Sequence, residues 1–312
     1  MCFHCIILKI LEGRGNGRKK TFIIRTGMSI QNYRQRLEKI RKLNLTSDLF
    51  SSVVFQDLAA IQDVLRIMTG IENIKVIRTE PQRSYRNLHG HSSVLDVWAE
   101  DDVGTQYNLE IQIAEDEDHL RRSRFIQSRM DSRCLDSGEP YEKLPELYLI
   151  FITKKDFLQL GRSVTEILRI TKDTNQYIDN GIHEIYANLD HPEGDDKITR
   201  LLQYIRDTNN PDISTEGFEN LAKRVNYLKN DEEGGKYMCE FSDWLTEEGR
   251  TQGLAEGKML SLIHLVLKKQ ERGVEAAEIA DLLEEDISTI DKILLAVLRA
   301  KERTPEAVFA CM

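Results

Sequence analysis

Residues 93–113 read SVLDVWAEDDVGTQYNLEIQI. Two runs in this stretch, Ser93 to Glu100 and Gln106 to Ile113, alternate polar and apolar side chains with the period of two that a strand with unlike faces requires. Asp101-Asp102-Val103-Gly104 between them has the composition of a turn. A hairpin folded about residues 101–105 sets Glu100 opposite Gln106, Trp98 opposite Asn108, Asp96 opposite Glu110 and Val94 opposite Gln112. Leu95, Val97, Leu109 and Ile111 then share the other, apolar face.

This register places two carboxylates side by side, with Cβ atoms ~5 Å apart. Burying such a pair uncompensated costs several kcal/mol per charge. A divalent cation is the natural compensator, because closely spaced hard oxygen ligands suit Mg²⁺ or Mn²⁺. Asp96 and Glu110 are therefore the candidate metal ligands and catalytic acids. Gln112, two residues beyond Glu110, presents its amide on the same face, and the carbonyl of Ile111 is a further oxygen within reach.

Outward from this hairpin, apolar residues recur at three- and four-residue steps between Leu45 and Met68, predicting two helices broken near Asp57 and stopped at Gly70. Strand-like alternation begins near Ile74. Residues 119–136 read as a helix with an apolar stripe through Leu120, Ile126, Met130 and Cys134. On that wheel Gln127 falls inside the stripe and Arg124 at its edge, so both are expected to point toward the acids, whereas Arg122, Arg129 and Arg133 form an outer row where a DNA backbone could lie. Leu147 to Thr153 is a continuous apolar run, the mark of a strand buried on both faces. Strand-like pieces follow at Val164 to Ile170 and Glu184 to Leu189, and the chain reads as helical from Lys197 almost to its end. The charged, glycine-spaced stretch Glu247 to Lys258 is read as a link between two helical parts. The expected organisation is a basic, partly disordered extension over 1–44, an α/β domain over 45–245 and a helical C-terminal region over 246–312.

The 312 residues, 40% hydrophobic and 30% charged, fit a globular chain and exclude a collagen-like or wholly disordered one. No window is apolar enough to span a membrane. The net charge of −9 is unevenly spread: residues 1–47 carry +9, leaving −18 for the remainder. That balance excludes a uniformly basic coat but not nucleic-acid binding through a local patch or a metal ion. Five cysteines without regular spacing point to a reducing cytoplasm, and the single CxxC at Cys2 and Cys5 lacks a second pair for a structural zinc. His89 and His91 precede the first motif strand and read as a surface turn. In the C-terminal region, Ala276–Leu283 and Ile287–Leu298 form a helix pair that is short of basic residues, read as an oligomerisation or protein-contact element rather than a DNA reader.

Leu95-Asp96 followed by Glu110-Ile111-Gln112 resembles the PD-(D/E)XK nuclease superfamily, and most nearly its transposase branch, the recombination-promoting nucleases of bacterial mobile elements. The resemblance runs from about residue 45 to 260, through Asp48-Leu49-Phe50, Gly104, Tyr107, Arg124, Gly138-Glu139-Pro140-Tyr141, Ile150-Phe151-Ile152, Asp156-Phe157, Tyr237-Met238 and Glu247-Glu248-Gly249-Arg250. It implies an α/β fold with a restriction-endonuclease-like mixed-sheet core of α-β-β-β-α-β order and a helical C-terminal extension. It also implies metal-dependent hydrolysis of DNA phosphodiesters, with Asp96 and Glu110 as metal ligands, Gln112 at the position usually held by lysine, and Asp48, Arg124 and Gln127 in support. Two departures stand out: Leu95 replaces a turn proline, and Gln112 replaces a positive charge with a neutral amide. The second leaves open a catalytically weak or inactive nuclease-derived DNA-binding protein, or a structural partner module assembled through the C-terminal helices.

Overall fold

A computed structural model of the chain describes residues 9–15, 18–24, 30–85, 93–113, 118–190 and 196–312. Cys2, Cys5, His89 and His91 lie outside the described residues. Strands β1 (Lys9–Gly15) and β2 (Arg18–Ile24) pair as a separate hairpin, followed by helix α1 (Ile30–Arg41). The stretch expected to be an extension thus holds regular elements, and α1 joins the main core through buried Ile40 and half-buried Tyr33 and Leu37.

The helical spacing of residues 45–70 becomes α2 (Asp48–Val54) and α3 (Leu58–Thr69). Helix α3 begins where the Asp57 carboxylate accepts the Ala60 amide at 2.9 Å, and ends at Gly70, whose φ of 72° suits a residue without a side chain. Its Ile61, Val64, Leu65 and Met68 are buried, each contributing about 1.5–3 kcal/mol by leaving water.

Strands β3 (Val76–Tyr85), β4 (Ser93–Asp101) and β5 (Gln106–Gln112) form an antiparallel meander. Helix α4 (His119–Asp131) connects to β6 (Leu147–Thr153), which pairs parallel to β5. Beyond it, β7 (Val164–Ile167) and β8 (Ile182–Asn188) complete a six-stranded mixed sheet of order β3-β4-β5-β6-β8-β7, with β8 parallel to β6 and β7 antiparallel at the edge. The run α3-β3-β4-β5-α4-β6 has the α-β-β-β-α-β order expected of a restriction-endonuclease-like core.

Side-chain alternation sorts the sheet into two faces. Val97, Ala99, Leu109, Ile111, Ile150 and Ile152 enter the larger core with α2, α3, α5 (Lys197–Arg206) and α6 (Glu219–Asn230). Trp98, Leu149, Phe151 and Tyr186 pack on the opposite face with Ile126 and Met130 of α4. The buried carboxylate of Asp63 on α3 accepts the amides of Asn220 (2.8 Å) and Leu221 (3.1 Å), satisfying donors in the open first turn of α6.

Helix α7 (Glu232–Gln270) spans 39 residues, about 58 Å at 1.5 Å per residue. Glu247 to Lys258, read from sequence as a link, is the middle of this continuous helix. Its start contributes Met238 and Cys239 to the larger core, and its end contributes Ile263, Val266 and Leu267 to a separate cluster with α8 (Ala276–Leu283), α9 (Ile287–Arg299) and α10 (Pro305–Phe309). Among the described residues, no helix is long and apolar enough to cross a membrane.

Candidate active site

The β4–β5 ladder holds the register read from sequence, from Glu100 opposite Gln106 to Val97 opposite Leu109. Past Val97 the two acidic side chains take over from the ladder. Glu110 Oε1 accepts the backbone amide of Asp96 at 3.2 Å, and Asp96 Oδ2 accepts the backbone amide of Ile111 at 2.9 Å. Each carboxylate is anchored on the neighbouring strand's backbone, so both are held by the sheet itself. The amide of Gln112 donates across the pair, with Nε2 3.2 Å from Asp96 Oδ2 and 3.1 Å from Glu110 Oε2. Asn108, fully buried on the same face, donates Nδ2 to Glu110 Oε1 at 3.1 Å. Arg122 donates Nη2 to Glu110 Oε2 at 3.0 Å.

Burial dominates the electrostatics. It pushes the Asp96 carboxyl up to about 7, helped by the negative charge of Glu110 and opposed by the Ile111 amide and Arg122. Glu110 is also raised by burial, against the pull of Arg122 and the donors around it. A half-buried and a buried carboxylate that repel each other and present hard oxygens fit a divalent cation such as Mg²⁺ or Mn²⁺, which would compete with the proton. An acid whose folded-state value lies above its unfolded value of about 3.9 stabilises the fold fully below that value and loses the contribution as pH rises through about 7. Without metal, the melting temperature should therefore fall by about 5 °C between pH 5 and pH 8.5 in excess of any fall in Asp96→Asn. Parallel melts of the two proteins in EDTA check this, and identical pH profiles would rule it out.

The supporting residues divide. Asp48 opens α2 as an exposed side chain, and its charge is felt at Asp96. Arg124 and Gln127 do not join the acids: Arg124 is exposed, and Gln127 donates to Asp131 one turn along its own helix at 3.4 Å. The inward residues of α4 are His119, Ser123, Ile126 and Met130, whereas Leu120 is 44% exposed. Phasing the wheel on Leu120 rotates it and exchanges the two arginines. The true phase carries Arg122 off the outer row and onto Glu110, leaving Arg129 half-buried on the helix and Arg133 exposed in the turn after it. His119 is held inward by an edge contact with the Phe157 ring, 4.8 Å between centroids.

A family model described as PD-(D/E)XK nuclease family transposase matches residues 57–237, more than half of the chain. The chain belongs to the PD-(D/E)XK nuclease family of transposases. The span matching this nuclease family opens at the Asp57 cap of α3 and closes in α7, enclosing the whole six-stranded sheet and the acid pair. A second likeness is short. Subunit 10 of the Mediator of RNA polymerase II transcription from Chaetomium globosum is 29% identical over 89 residues, covering 27% of this chain and 52% of that protein. The chain thus spans about half the length of that curated relative. No solved structure matches.

Within the PD-(D/E)XK nuclease sheet, a second polar group lies at the other ends of the strands. Glu146, Asp179 and His183 bring ligand atoms within 4.8 Å of one another, with His183 Nε2 2.9 Å from Glu146 Oε2 and its ring stacked on Tyr148. Glu146 is far in sequence from Asp179 and His183, and the parallel pairing of β6 with β8 brings it to them. Asn108 also contributes to the acid site, although the hairpin register marks it only as the partner of Trp98. Its position two residues before Glu110 on one strand face is the signal that marks it.

Proposed function

We propose that this chain is a metal-dependent DNA endonuclease hydrolysing phosphodiester bonds, of the transposase or recombination-associated kind and acting in the cytoplasm. The observation that carries the reading is the convergence of half-buried Asp96 and buried Glu110 on the single amide of Gln112, on the α4 face of the sheet. Asp96 and Glu110 would hold Mg²⁺ or Mn²⁺, which when bound supplies an acidified water and neutralises charge on the scissile phosphate. The chain's own residues do the rest. Asn108 and the Asp96 amide keep Glu110 from rotating, and Gln112 presents an amide that orients water. Arg122 brings a positive charge to Glu110, while Arg129 on α4 and Arg133 in the turn after it offer basic charge to the DNA backbone. Purified protein is expected to nick supercoiled plasmid with Mg²⁺ or Mn²⁺ and not with EDTA. No cleavage in either metal would refute the endonuclease.

One observation favours a second reading. Gln112 is neutral where the superfamily usually has lysine, which fits a nuclease-derived DNA-binding protein of weak or no activity. Metal-independent DNA binding without cleavage would select it.

The division into a nuclease-like domain over 45–245 and a helical region over 246–312 is part of this proposal, as is self-association through the latter. Every described residue of α7 from Thr246 to Lys258 is exposed, yet this bare stretch holds Gly249, Gly253 and Gly257, each costing about 1 kcal/mol relative to alanine in a helix. A Cβ at any of the three would meet nothing within 4 Å, so no intrachain contact requires them. A second copy of α7 running antiparallel about the Gly257–Lys258 step would set Glu247 opposite Lys268 and Gly253 opposite Leu262, pairing opposite charges and small against large. Light scattering is expected to give a dimer that Gly257→Leu converts to monomer. A monomeric wild type would refute the pairing.

A further inference from the structure

We propose that Arg122 is an internal cation of the acid site, one that metal must displace and that then serves the phosphate in place of the missing lysine. The proposal rests on the reading of Asp96 and Glu110 as cation ligands. Its starting point is the lone-pair inventory of Glu110, whose side chain is 0% exposed. A carboxylate offers about four acceptor positions. Oε1 takes the Asp96 amide and Asn108 Nδ2, and Oε2 takes Gln112 Nε2 and Arg122 Nη2. The inventory is full, so no cation reaches Glu110 without removing a donor.

The four donors differ in what their departure requires. The Asp96 amide is backbone inside β4, and Asn108 is wholly buried, so the Oε1 side is fixed. Both movable donors sit on Oε2. Of these, Gln112 also donates to Asp96 Oδ2 and stays useful beside a bound cation, because its amide oxygen can turn toward positive charge. Arg122 cannot: it has no acceptor, and its charge repels the incoming ion. Its side chain is 32% exposed where it reaches Glu110, so it can leave toward solvent while Glu110 cannot.

The same residue answers the deficit at Gln112. A phosphodiester entering beside Asp96 and Glu110 needs positive charge that a neutral amide does not supply. A guanidinium expelled from Glu110 stays tethered to α4 at the mouth of the site, where its planar fork suits two phosphate oxygens. Arg122 thus compensates Glu110 before metal arrives and the phosphate afterwards.

The two roles make opposite demands, which gives the test. Manganese binding without DNA, followed by electron paramagnetic resonance, and single-turnover plasmid cleavage are measured on wild type, Arg122→Gln and Arg122→Lys, with circular dichroism to verify folding. Arg122→Gln is expected to bind Mn²⁺ at least about tenfold more tightly, having lost the competing charge, while cleaving about 10²-fold more slowly at saturating metal. Arg122→Lys, which keeps the charge but not the fork, should retain near wild-type metal affinity and an intermediate rate. Metal affinity that is unchanged or weaker in a folded Arg122→Gln overturns the internal-cation role, and an unchanged saturating rate overturns the phosphate role. A wild type that neither binds Mn²⁺ nor cleaves DNA instead defeats the metal-nuclease reading, and this proposal with it.

Discussion

Asp96→Asn is expected to reduce metal-dependent DNA cleavage about 10³-fold while leaving the metal-free protein at least as stable as wild type at pH 8. Both halves follow from one arrangement. Asparagine keeps the shape and retains an oxygen to accept the Ile111 amide, so the splayed end of the β4–β5 pair should hold. The charge is what disappears. In wild type it is disfavoured by burial and by Glu110, strongly enough to push the carboxyl up to about 7. Removing it relieves repulsion in the empty site and removes a ligand from the filled one, so activity and stability move in opposite directions. Single-turnover cleavage and thermal melts in EDTA test the two halves. Cleavage at the wild-type rate, or a melting temperature well below wild type, would contradict the account.

Gly234→Ala is expected to destabilise the fold by about 3 kcal/mol, a large part of the stability of an ordinary domain. Gly234 lies in the first turn of α7 where it passes the end of α6, and a Cβ built there would overlap the backbone carbonyl of Tyr227, far inside contact distance. The obstruction is main chain, so no rotamer change relieves it. One of the two helices must move, and with it the Met238 and Cys239 contribution to the core. The same exchange at Gly249, where nothing lies within 4 Å, should raise helix stability instead, by up to about 1 kcal/mol. Denaturant melts of both variants measure the contrast, and equal effects at the two sites would show that the α6–α7 approach is not tight.

The hairpin was legible because a period of two and the short loop at 101–105 leave little freedom in register, and a one-residue slip would have buried the wrong face. Strand β6 was legible because only a strand covered on both sides tolerates seven nearly unbroken apolar residues. What sequence left hidden has physical causes. The phase of α4 depends on whether His119 or Leu120 faces inward, and hydrophobicity favours Leu120; the ring of Phe157, far along the chain, reverses the choice. That single reversal decides whether Arg122 or Arg124 reaches the acids. The continuity of α7 was hidden because three glycines within a charged stretch read as a break, their cost invisible until the helix is seen to stand bare. Edge strand β7 begins at Val164 as the sequence reads but stops at Ile167, short of the expected Ile170, which makes only an isolated bridge with Tyr177.

Asp96 and Glu110 are proposed to hold divalent metal jointly, and binding measures this more directly than catalysis does. Manganese titrated into wild type and into Glu110→Gln at pH 8 should show saturable binding in the first and a loss of at least about 10²-fold in affinity in the second, with both proteins folded. Equal manganese affinity in the two would place the metal elsewhere and contradict the site.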